Sequence, residues 1–300
     1  MKRRDVIKGG VALAAGWVGP AAVGQSLRPE EGDTGPWVAL LSDTHLDTNP
    51  RRWLRGVRTA RAFASVLGRL GTGEAGPPAA VLINGDVAHA GGQRGDYETL
   101  RETVDAAGPS LRPIHYSPGN HDHREHMREA GLVPAPFFAE GKACRVVRVA
   151  GVDWVLLDSL RRRREVAGAL GEAQLAWLGE QLDAGPVDRP AFVLSHHPPG
   201  DPKGGRENRV GLADGRALLD LLWDRPRVKA LFHGHLHKFE QREVNGMHVV
   251  GQPSTAYVFG REDTPGYLEA RVRPDHLELT RRAVSPDGPN EGEVVRLTFR

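Results

Sequence analysis

The chain has 300 residues, of which 39% are hydrophobic and 26% are charged, and this composition is typical of a globular protein with a sizeable core. Residues 25–300 carry 36 of the 40 basic residues and 37 of the 38 acidic residues. Such a nearly neutral body gives no electrostatic reason to expect binding of a nucleic-acid polymer. The lone Cys144 excludes an intrachain disulfide and a thiolate zinc cluster.

The first 24 residues have the layout of an export signal. The paired arginines Arg3 and Arg4 precede an apolar, glycine-rich stretch, which is too short to span a membrane, since a span takes ~20 apolar residues. The pattern resembles a twin-arginine signal, although Val6 stands where such signals often carry Phe. A Sec signal or an uncleaved anchor is the alternative.

Three segments follow from this reading. We expect residues 1–24 to be a twin-arginine signal peptide, residues 25–36 to be a linker and residues 37–300 to be one domain. The mature protein is then expected outside the cytoplasm, for example in the periplasm, without a membrane span.

In the body, short apolar runs alternate with longer amphipathic stretches. The runs predict strands at 37–41, 79–83, 113–116, 145–149, 152–157, 191–194 and 228–232. The stretches predict helices at 52–70, 97–107, 172–182 and 214–223. The last fifty residues predict strands at 247–250, 267–272, 277–279 and 294–299. Alternating strands and helices, followed by strands, indicate a layered α/β fold.

Five polar clusters begin where predicted strands end. They are Asp43-Thr44-His45, Gly85-Asp86, Gly119-Asn120-His121-Asp122, His196-His197 and Gly234-His235-Leu236-His237. Ligands of open α/β sheets bind outside the carboxyl ends of the strands, so we expect the clusters to converge on one crevice. Carboxylate, imidazole and amide groups suit zinc, manganese or iron, and a carboxylate can bridge two such ions. The glycines are expected to turn the backbone so that neighbouring side chains reach the ions.

In this order the clusters resemble the calcineurin-like metallophosphoesterase pattern: D-x-H, G-D, G-N-H-D, a later His and G-H-x-H. The likeness covers roughly residues 37–260. Residues 96–98, 157–159, 174–178 and 251–257 are similar to the bacterial branch that includes cyclic-nucleotide phosphodiesterases. The resemblance implies a four-layer α/β/β/α sandwich with two mixed β-sheets, and a hydrolase.

The resemblance also implies two divalent metal ions, iron, manganese or zinc. The first ion would be held by Asp43, His45, Asp86 and His237. The second ion would be held by the bridging Asp86 together with Asn120, His196 and His235. A hydroxide that bridges the ions would attack phosphorus in line, and His121 would contact the phosphate or protonate the leaving oxygen.

One position departs from the family pattern. His89 stands where many members carry an Asp that orients the catalytic histidine. We therefore expect Asp122 or the backbone to orient His121. His89 is a candidate for a group that faces the substrate, and His197 is a candidate for a hydrogen-bond donor to a neighbouring metal ligand.

The leading functional expectation is hydrolysis of small-molecule phosphodiesters or phosphomonoesters. Export would separate the enzyme from cytosolic cyclic nucleotides, so a broad phosphodiesterase is favoured over a strict cyclic-nucleotide enzyme. Two alternatives stay open. One is a non-catalytic metal- or phosphate-binding protein on the same fold, and the other is a hydrolase of the pyrophosphate bond in nucleotide sugars.

Overall fold

The computed structural model describes residues 35–73, 76–111, 113–133, 141–200 and 207–300. The expected signal peptide at 1–24 and residues 25–34 of the expected linker lie outside the described residues. Within the described ranges, every helix is too short or too polar to cross a membrane.

The predicted alternation of strands and helices is present. The strands are β1 (Trp37–Leu41), β2 (Ala80–Asn84), β3 (Ile114–Ser117), β4 (Arg145–Val149), β5 (Val152–Leu156), β6 (Ala191–Ser195), β7 (Val228–His233), β8 (Glu240–Val244), β9 (Met247–Gly251), β10 (Gly266–Val272), β11 (His276–Ala283) and β12 (Val294–Thr298). The helices are α1 (Thr59–Thr72), α2 (Arg94–Ala107), α3 (Arg124–Glu129), α4 (Glu172–Ala184), α5 (Glu207–Val210) and α6 (Gly215–Trp223), with a 3₁₀ turn at Pro109–Leu111.

The strands form two six-stranded mixed sheets. The first has the order β12-β11-β10-β1-β2-β3, in which β1, β2 and β3 are parallel and the other pairs are antiparallel. The second has the order β4-β5-β6-β7-β9-β8, in which β5, β6, β7 and β9 are parallel. Antiparallel β4 and β8 close its two edges. In both sheets the parallel strands deliver their carboxyl ends to one edge.

Alternation of side chains along the strands builds the layers. Leu40 of β1 points between the sheets, where it joins a buried cluster with Trp154 and Phe192 of the second sheet. Its neighbour Leu41 points outward and packs under α1 and α2 against Phe63 and other residues. A third cluster packs α4 and α6 on the outer face of the second sheet. The expected four-layer α/β/β/α sandwich with two mixed sheets is therefore confirmed.

The main difference from the predicted elements lies before α1. The helix was expected from residue 52 but begins at Thr59. Arg55 and Gly56 have φ angles of 47° and 82°, which are incompatible with a right-handed helix. Leu54 and Val57 instead exchange two backbone hydrogen bonds of 2.8 and 2.9 Å. Residues 52–58 therefore form a loop at the carboxyl-end edge of the sheet.

Shorter elements escaped the sequence pattern for two reasons. Strand β8 is a partly exposed edge strand in which Glu240, Arg242 and Glu243 interrupt any apolar alternation. Helix α3 has six residues and buries only Met127, so its sequence shows no helical periodicity.

The inter-sheet core yields a stability prediction. Trp154 is fully buried, and its ring centroid lies 4.7 Å from that of Phe192. We expect Trp154→Ala to lower the free energy of unfolding by about 3–5 kcal/mol, because it leaves a cavity between the sheets. Urea denaturation measures this change. Val187→Ala, at a residue 89% exposed, is the control and should alter stability by no more than about 0.5 kcal/mol. Equal losses in both variants would contradict the assigned core.

Candidate metal centre

Backbone hydrogen bonds bring the five polar clusters together at the carboxyl-end edge. The loop after β1 pairs with the loop after β2, because Asp43 N donates to Gly85 O at 3.1 Å and His45 N to Asp86 O at 3.0 Å. In the second sheet, Gly234 N donates to His196 O at 3.0 Å. The expected convergence on one crevice is thus present.

Unusual backbone angles aim the side chains into this crevice. The φ angles are 54° at Asp43, 46° at His45, 48° at Asp86, 67° at His235 and 55° at His237. Non-glycine residues rarely adopt positive φ, and each instance costs of order 1–3 kcal/mol unless the surroundings enforce it. Residues of this kind cluster at functional sites. The candidate ligands themselves therefore make the turns.

Glycines serve the site mostly by being small. Only Gly85 of the three expected turn glycines has a positive φ, at 79°. A Cβ on Gly119 would lie 2.2 Å from Asp86 Oδ1, and a Cβ on Gly234 would lie 2.0 Å from Ser42 Oγ. The expectation that Gly234 supplies the turn for His235 and His237 is therefore wrong. Its role is to let the backbone approach the Asp43 carboxylate.

One group of candidate ligand atoms consists of Asp43, His45 and His237, whose atoms lie within 4.8 Å of one another. Asp43 Oδ1 lies 3.2 Å from His237 Nε2 and 3.8 Å from His45 Nε2. The two ring nitrogens face each other at 3.1 Å. A cation between the carboxylate and the two imidazoles would satisfy all three groups.

A second group shares Asp43 and adds Asp86 and His196. Asp86 Oδ2 lies 3.3 Å from His196 Nε2 and 3.9 Å from His45 Nε2. Both carboxylates thus lie between imidazoles of the two sheets. His235 lies on the His196 side, with its ring centroid 5.2 Å away, and its backbone N donates to Asp43 Oδ2 at 3.1 Å.

Backbone carbonyl groups fix the tautomers of two histidines. His237 Nδ1 donates to Tyr257 O at 2.6 Å, and His196 Nδ1 donates to Asn84 O at 2.9 Å. Because a carbonyl only accepts, the proton stays on Nδ1 and Nε2 offers its lone pair to the crevice. Sequence reasoning did not identify Asn84 or Tyr257 in this role. A buried polar residue that ends the apolar run of β2 was the available signal for Asn84.

Asn84 also joins the two sheets. Its amide nitrogen donates to Ser195 O at 3.3 Å and to Gln252 Oε1 at 2.6 Å. Its side-chain oxygen accepts from Ser117 Oγ at 3.2 Å. The residue is completely buried, so these contacts satisfy it and hold β2, β3 and β6 in register at the site.

The electrostatics fit divalent cations. Burial raises the pKa of Asp43, but His237 and His196 outweigh this effect and hold the pKa below its usual range. Burial lowers the pKa of His45 to about 3, although Asp86 opposes the shift. Burial also lowers the pKa of His196, yet Asp86 and Asp43 outweigh it and raise that pKa to about 10. A cation would take the place of the proton that balances these carboxylates.

Unsatisfied polar atoms support the same fit. Among the described residues, Asp43 Oδ1, Asn120 Oδ1 and His196 Nε2 are buried and have no hydrogen-bond partner. Buried polar atoms are normally paired, and two of these, Asp43 Oδ1 and His196 Nε2, lie 4.0 Å apart, where a cation would satisfy both. The donor set of carboxylate, imidazole and amide oxygen suits two divalent metal ions. Asn120 is 3% exposed, as expected for a ligand rather than a surface amide.

The backbone, not Asp122, orients His121. The imidazole Nδ1 of His121 donates to the carbonyl of His89, and the His121 backbone N donates to Asp86 Oδ1 at 2.8 Å. The His89 and His121 rings are nearly parallel, at 11°, with centroids 6.3 Å apart. The side chain of His121 is 34% exposed, and its Nε2 lies 4.0 Å from Asp86 Oδ2. His121 therefore presents Nε2 at the open side of the crevice.

Asp122 holds the loops of the site in place. It is fully buried and accepts backbone hydrogen bonds from Gly119 at 2.9 Å, Ala88 at 2.9 Å and Val87 at 3.2 Å. The hydroxyl of Tyr97 donates to it at 3.2 Å. Asp122 thus connects the loop after β2 to the loop after β3, and it does not contact His121 through its carboxylate.

His197 lies beside both His196 and His235. Its Nδ1 is 2.7 Å from Ser159 Oγ, and its ring centroid is 4.7 Å from that of His235. Its Nε2 is buried without a partner among the described residues and groups with ligand atoms of His196 and His235. Burial, with a smaller effect of His235, keeps the pKa of His197 well below its usual value, so the ring is neutral.

The contact at Gly119 gives a prediction for metal binding. Gly119→Ala would place a methyl group 2.2 Å from Asp86 Oδ1. We expect this carboxylate to move, and metal affinity to fall at least tenfold, since changes just outside a ligand shell typically cost 10–100-fold. Elemental analysis and competition with a chelating dye measure the content and the affinity.

Gly68→Ala is the matched control. Gly68 lies on the exposed side of α1, where an added Cβ meets nothing within 4 Å. This variant should retain full metal content and gain roughly 0.5–1 kcal/mol of stability. Full metal content and affinity in Gly119→Ala would contradict the assigned packing of Gly119 on Asp86.

Several known proteins resemble this chain in sequence or in fold. The model of the calcineurin-like phosphoesterase family matches residues 36–239. A probable cyclic nucleotide phosphodiesterase from Synechococcus sp. is 30% identical over 79% of this chain and 88% of its own length. The 3′,5′-cyclic adenosine monophosphate phosphodiesterase of Pseudomonas aeruginosa is 29% identical over 81% of this chain and 88% of its own length. A dimetal phosphatase from Danio rerio shares the fold, with a TM-score of 0.67 at 16% identity over 88% of this chain and 99% of its own. The chain therefore belongs to the calcineurin-like phosphoesterase family and is a metal-dependent phosphoesterase.

Proposed function

We propose that this chain hydrolyses small-molecule phosphodiesters at a centre of two divalent cations. The proposed ligands are Asp43, His45, Asp86, Asn120, His196, His235 and His237. The observation that carries the proposal is that two buried carboxylates and several imidazoles form groups of three residues whose ligand atoms lie within 4.8 Å of one another. Among these atoms, Asp43 Oδ1 and His196 Nε2 are buried without a hydrogen-bond partner. When bound, two such cations lower the pKa of a water molecule and stabilise negative charge on phosphoryl oxygens.

The protein supplies orientation for this chemistry. Asp43 and Asp86 each have a carboxylate oxygen within 4.0 Å of both His45 Nε2 and His196 Nε2, so either carboxylate would be able to hold a cation together with an imidazole of either sheet. The carbonyls of Asn84 and Tyr257 accept the Nδ1 protons of His196 and His237, so in the neutral rings Nε2 is the nitrogen that is free to bind a cation. The substrate phosphate is proposed to enter from the side on which His121 is exposed.

We assign proton transfer to His121. Its Nδ1–H remains on the His89 carbonyl, so in the imidazolium form the second proton lies on Nε2. From there it is delivered to the oxygen of the leaving group as the P–O bond breaks.

The relatives guide the proposed substrate. Two similar proteins are named as cyclic nucleotide phosphodiesterases, so cyclic nucleotides belong among the first substrates to test. We further propose export by the twin-arginine pathway, on the basis of residues 1–24, and activity on phosphodiesters outside the cytoplasm. A broad specificity fits that location better than a strict cyclic-nucleotide specificity.

Removing one amide ligand tests the metal centre. We expect Asn120→Ala to bind fewer than two metal ions per chain and to lose at least a hundredfold in kcat/KM on bis(p-nitrophenyl) phosphate, because a buried oxygen ligand is missing. Asn120→Asp is the matched variant, which keeps one oxygen ligand and should retain both ions. Two bound ions with no turnover of any phosphoester in the wild type would contradict the hydrolase and support a binding protein.

The role of His121 has a separate test. We expect His121→Asn to keep its metal ions while kcat falls by about 10²–10⁴ on an ester with a poor leaving group, such as 3′,5′-cyclic AMP. The loss should be smaller on bis(p-nitrophenyl) phosphate, since nitrophenolate leaves without a proton. His276→Asn, on β11 and paired with Asp275, is the control. A pH–rate profile that His121→Asn leaves unchanged would remove His121 from proton transfer.

A further inference from the structure

Beside the metal centre lies a group of three side chains, Arg55, Tyr257 and Phe259, here called the aromatic rim. Phe259 stacks on the candidate ligand His237, with ring centroids 4.4 Å apart and an interplanar angle of 30°. Tyr257 stacks on His45, with centroids 5.1 Å apart at 20°. The rim therefore lies directly against the first ligand group.

The rim is open to solvent at Phe259. This ring is 58% exposed, whereas Tyr257 is 7% exposed and belongs to a small buried cluster with Leu54 and Ala256. Arg55 covers both rings, with its guanidinium carbon 5.0 Å from the Phe259 centroid and 5.5 Å from the Tyr257 centroid. An aromatic face and a cation are thus presented together at the edge of the site.

The stacking of Phe259 on His237 leaves more than half of the residue exposed to solvent. Isolated exposed apolar residues are common, so exposure alone does not indicate a function. Among the described residues, the large exposed apolar side chains are Trp53, Val166, Val187 and Phe259, and of these only Phe259 stacks on a candidate metal ligand. His237 does not need Phe259 for its orientation, because the Tyr257 carbonyl already fixes Nδ1.

The loops that carry the rim are preformed. Arg55 has a φ of 47° and lies between Leu54 and Val57, which exchange backbone hydrogen bonds. Leu54 packs in the cluster with Tyr257, and this contact joins the loop before α1 to the loop after β9. The rim can therefore bind a ligand without the loss of conformational entropy that ordering a loop would require.

We propose that the aromatic rim is a specificity subsite that stacks a planar aromatic group of the phosphodiester, such as a nucleobase or an aryl ester, while the phosphate lies at the metal centre. The exposed part of Phe259 and the planar Arg55 guanidinium over it together offer an aromatic and cationic surface to a planar group, and the guanidinium attracts an anionic substrate. This inference rests on the proposed function, since it names the substrate class of that same site.

Two substrates with one leaving group test the subsite. Bis(p-nitrophenyl) phosphate and methyl p-nitrophenyl phosphate both release nitrophenolate, so they differ only in the group that stays on phosphorus. We expect the wild type to prefer the aryl ester, and Phe259→Ala to lower the ratio of the two kcat/KM values about tenfold. Phe259→Leu, which keeps apolar bulk but no flat ring, should lower the ratio as well.

Arg55→Ala is a second variant of the rim, and it leaves the contact between Phe259 and the candidate metal ligand His237 in place. It should also lower the ratio, whereas Arg216→Ala should not. Arg216 is a matched control, because its guanidinium carbon lies 5.3 Å from the Trp223 ring on α6. A ratio unchanged in Phe259→Ala and in Arg55→Ala would overturn the subsite. Unchanged metal content in each variant would show that a lowered ratio does not come from disturbance of His237.

A binding measurement separates the subsite from the hydrolase. By isothermal titration calorimetry of the metal-loaded protein, adenosine 5′-monophosphate should bind about tenfold tighter than ribose 5-phosphate, and Phe259→Ala should remove the difference. A protein that shows this preference but hydrolyses no phosphoester would refute the proposed function and keep the subsite. Equal binding of the two probes by the wild type would overturn the subsite, whatever the activity.

Discussion

Two carboxylates buried at the junction of two sheets are the constraint on which this site depends. Asp43 is fully buried and Asp86 is 2% exposed. Removing such charges from water is costly unless opposite charge and hydrogen bonds compensate. Imidazoles from both sheets supply part of that compensation, and the raised pKa of His196, driven by the two carboxylates against burial, records it. Divalent cations would supply more positive charge at the same place. The burial of these two carboxylates therefore accounts both for the geometry of the site and for its suitability for metal chemistry.

The backbone around the carboxylates is arranged to tolerate this concentration of charge. Positive φ angles at five of the six Asp and His candidate ligands are unfavourable locally and persist because the loops are hydrogen-bonded to one another. These five are Asp43, His45, Asp86, His235 and His237. Asp122 contributes to that network by accepting three backbone N–H groups. The stability of the layered core thus offsets the strain of these turns. For this reason the site lies in loops that are held at the ends of the parallel strands rather than on an exposed loop.

Two chemically different groups lie at the crevice. His121 presents an exposed imidazole edge that is held by the His89 carbonyl. Phe259 stacks on the ring of His237, and Arg55 lies over the exposed ring of Phe259. In the proposed function, proton transfer would depend on the loops after β2 and β3, whereas recognition of the rest of the substrate would depend on the loops after β1 and β9.

The sequence by itself determined most of the order of strands and helices and the position of each polar cluster at a strand end, because these follow from residue type and periodicity. The alternation of strands and helices predicted a layered α/β fold, and the resemblance to the family implied its four layers and the individual ligands. Only the tertiary structure decided which groups orient those ligands, since the carbonyls of Asn84, His89 and Tyr257 are backbone atoms that every residue possesses. It also decided that residues 52–58 form a loop, because the positive φ at Arg55 is stabilised by contacts with a loop two hundred residues away. The aromatic rim belongs to this second class: Arg55 and Phe259 are far apart in sequence, and their contact exists only because β1 and β9 end at the same edge of the sandwich.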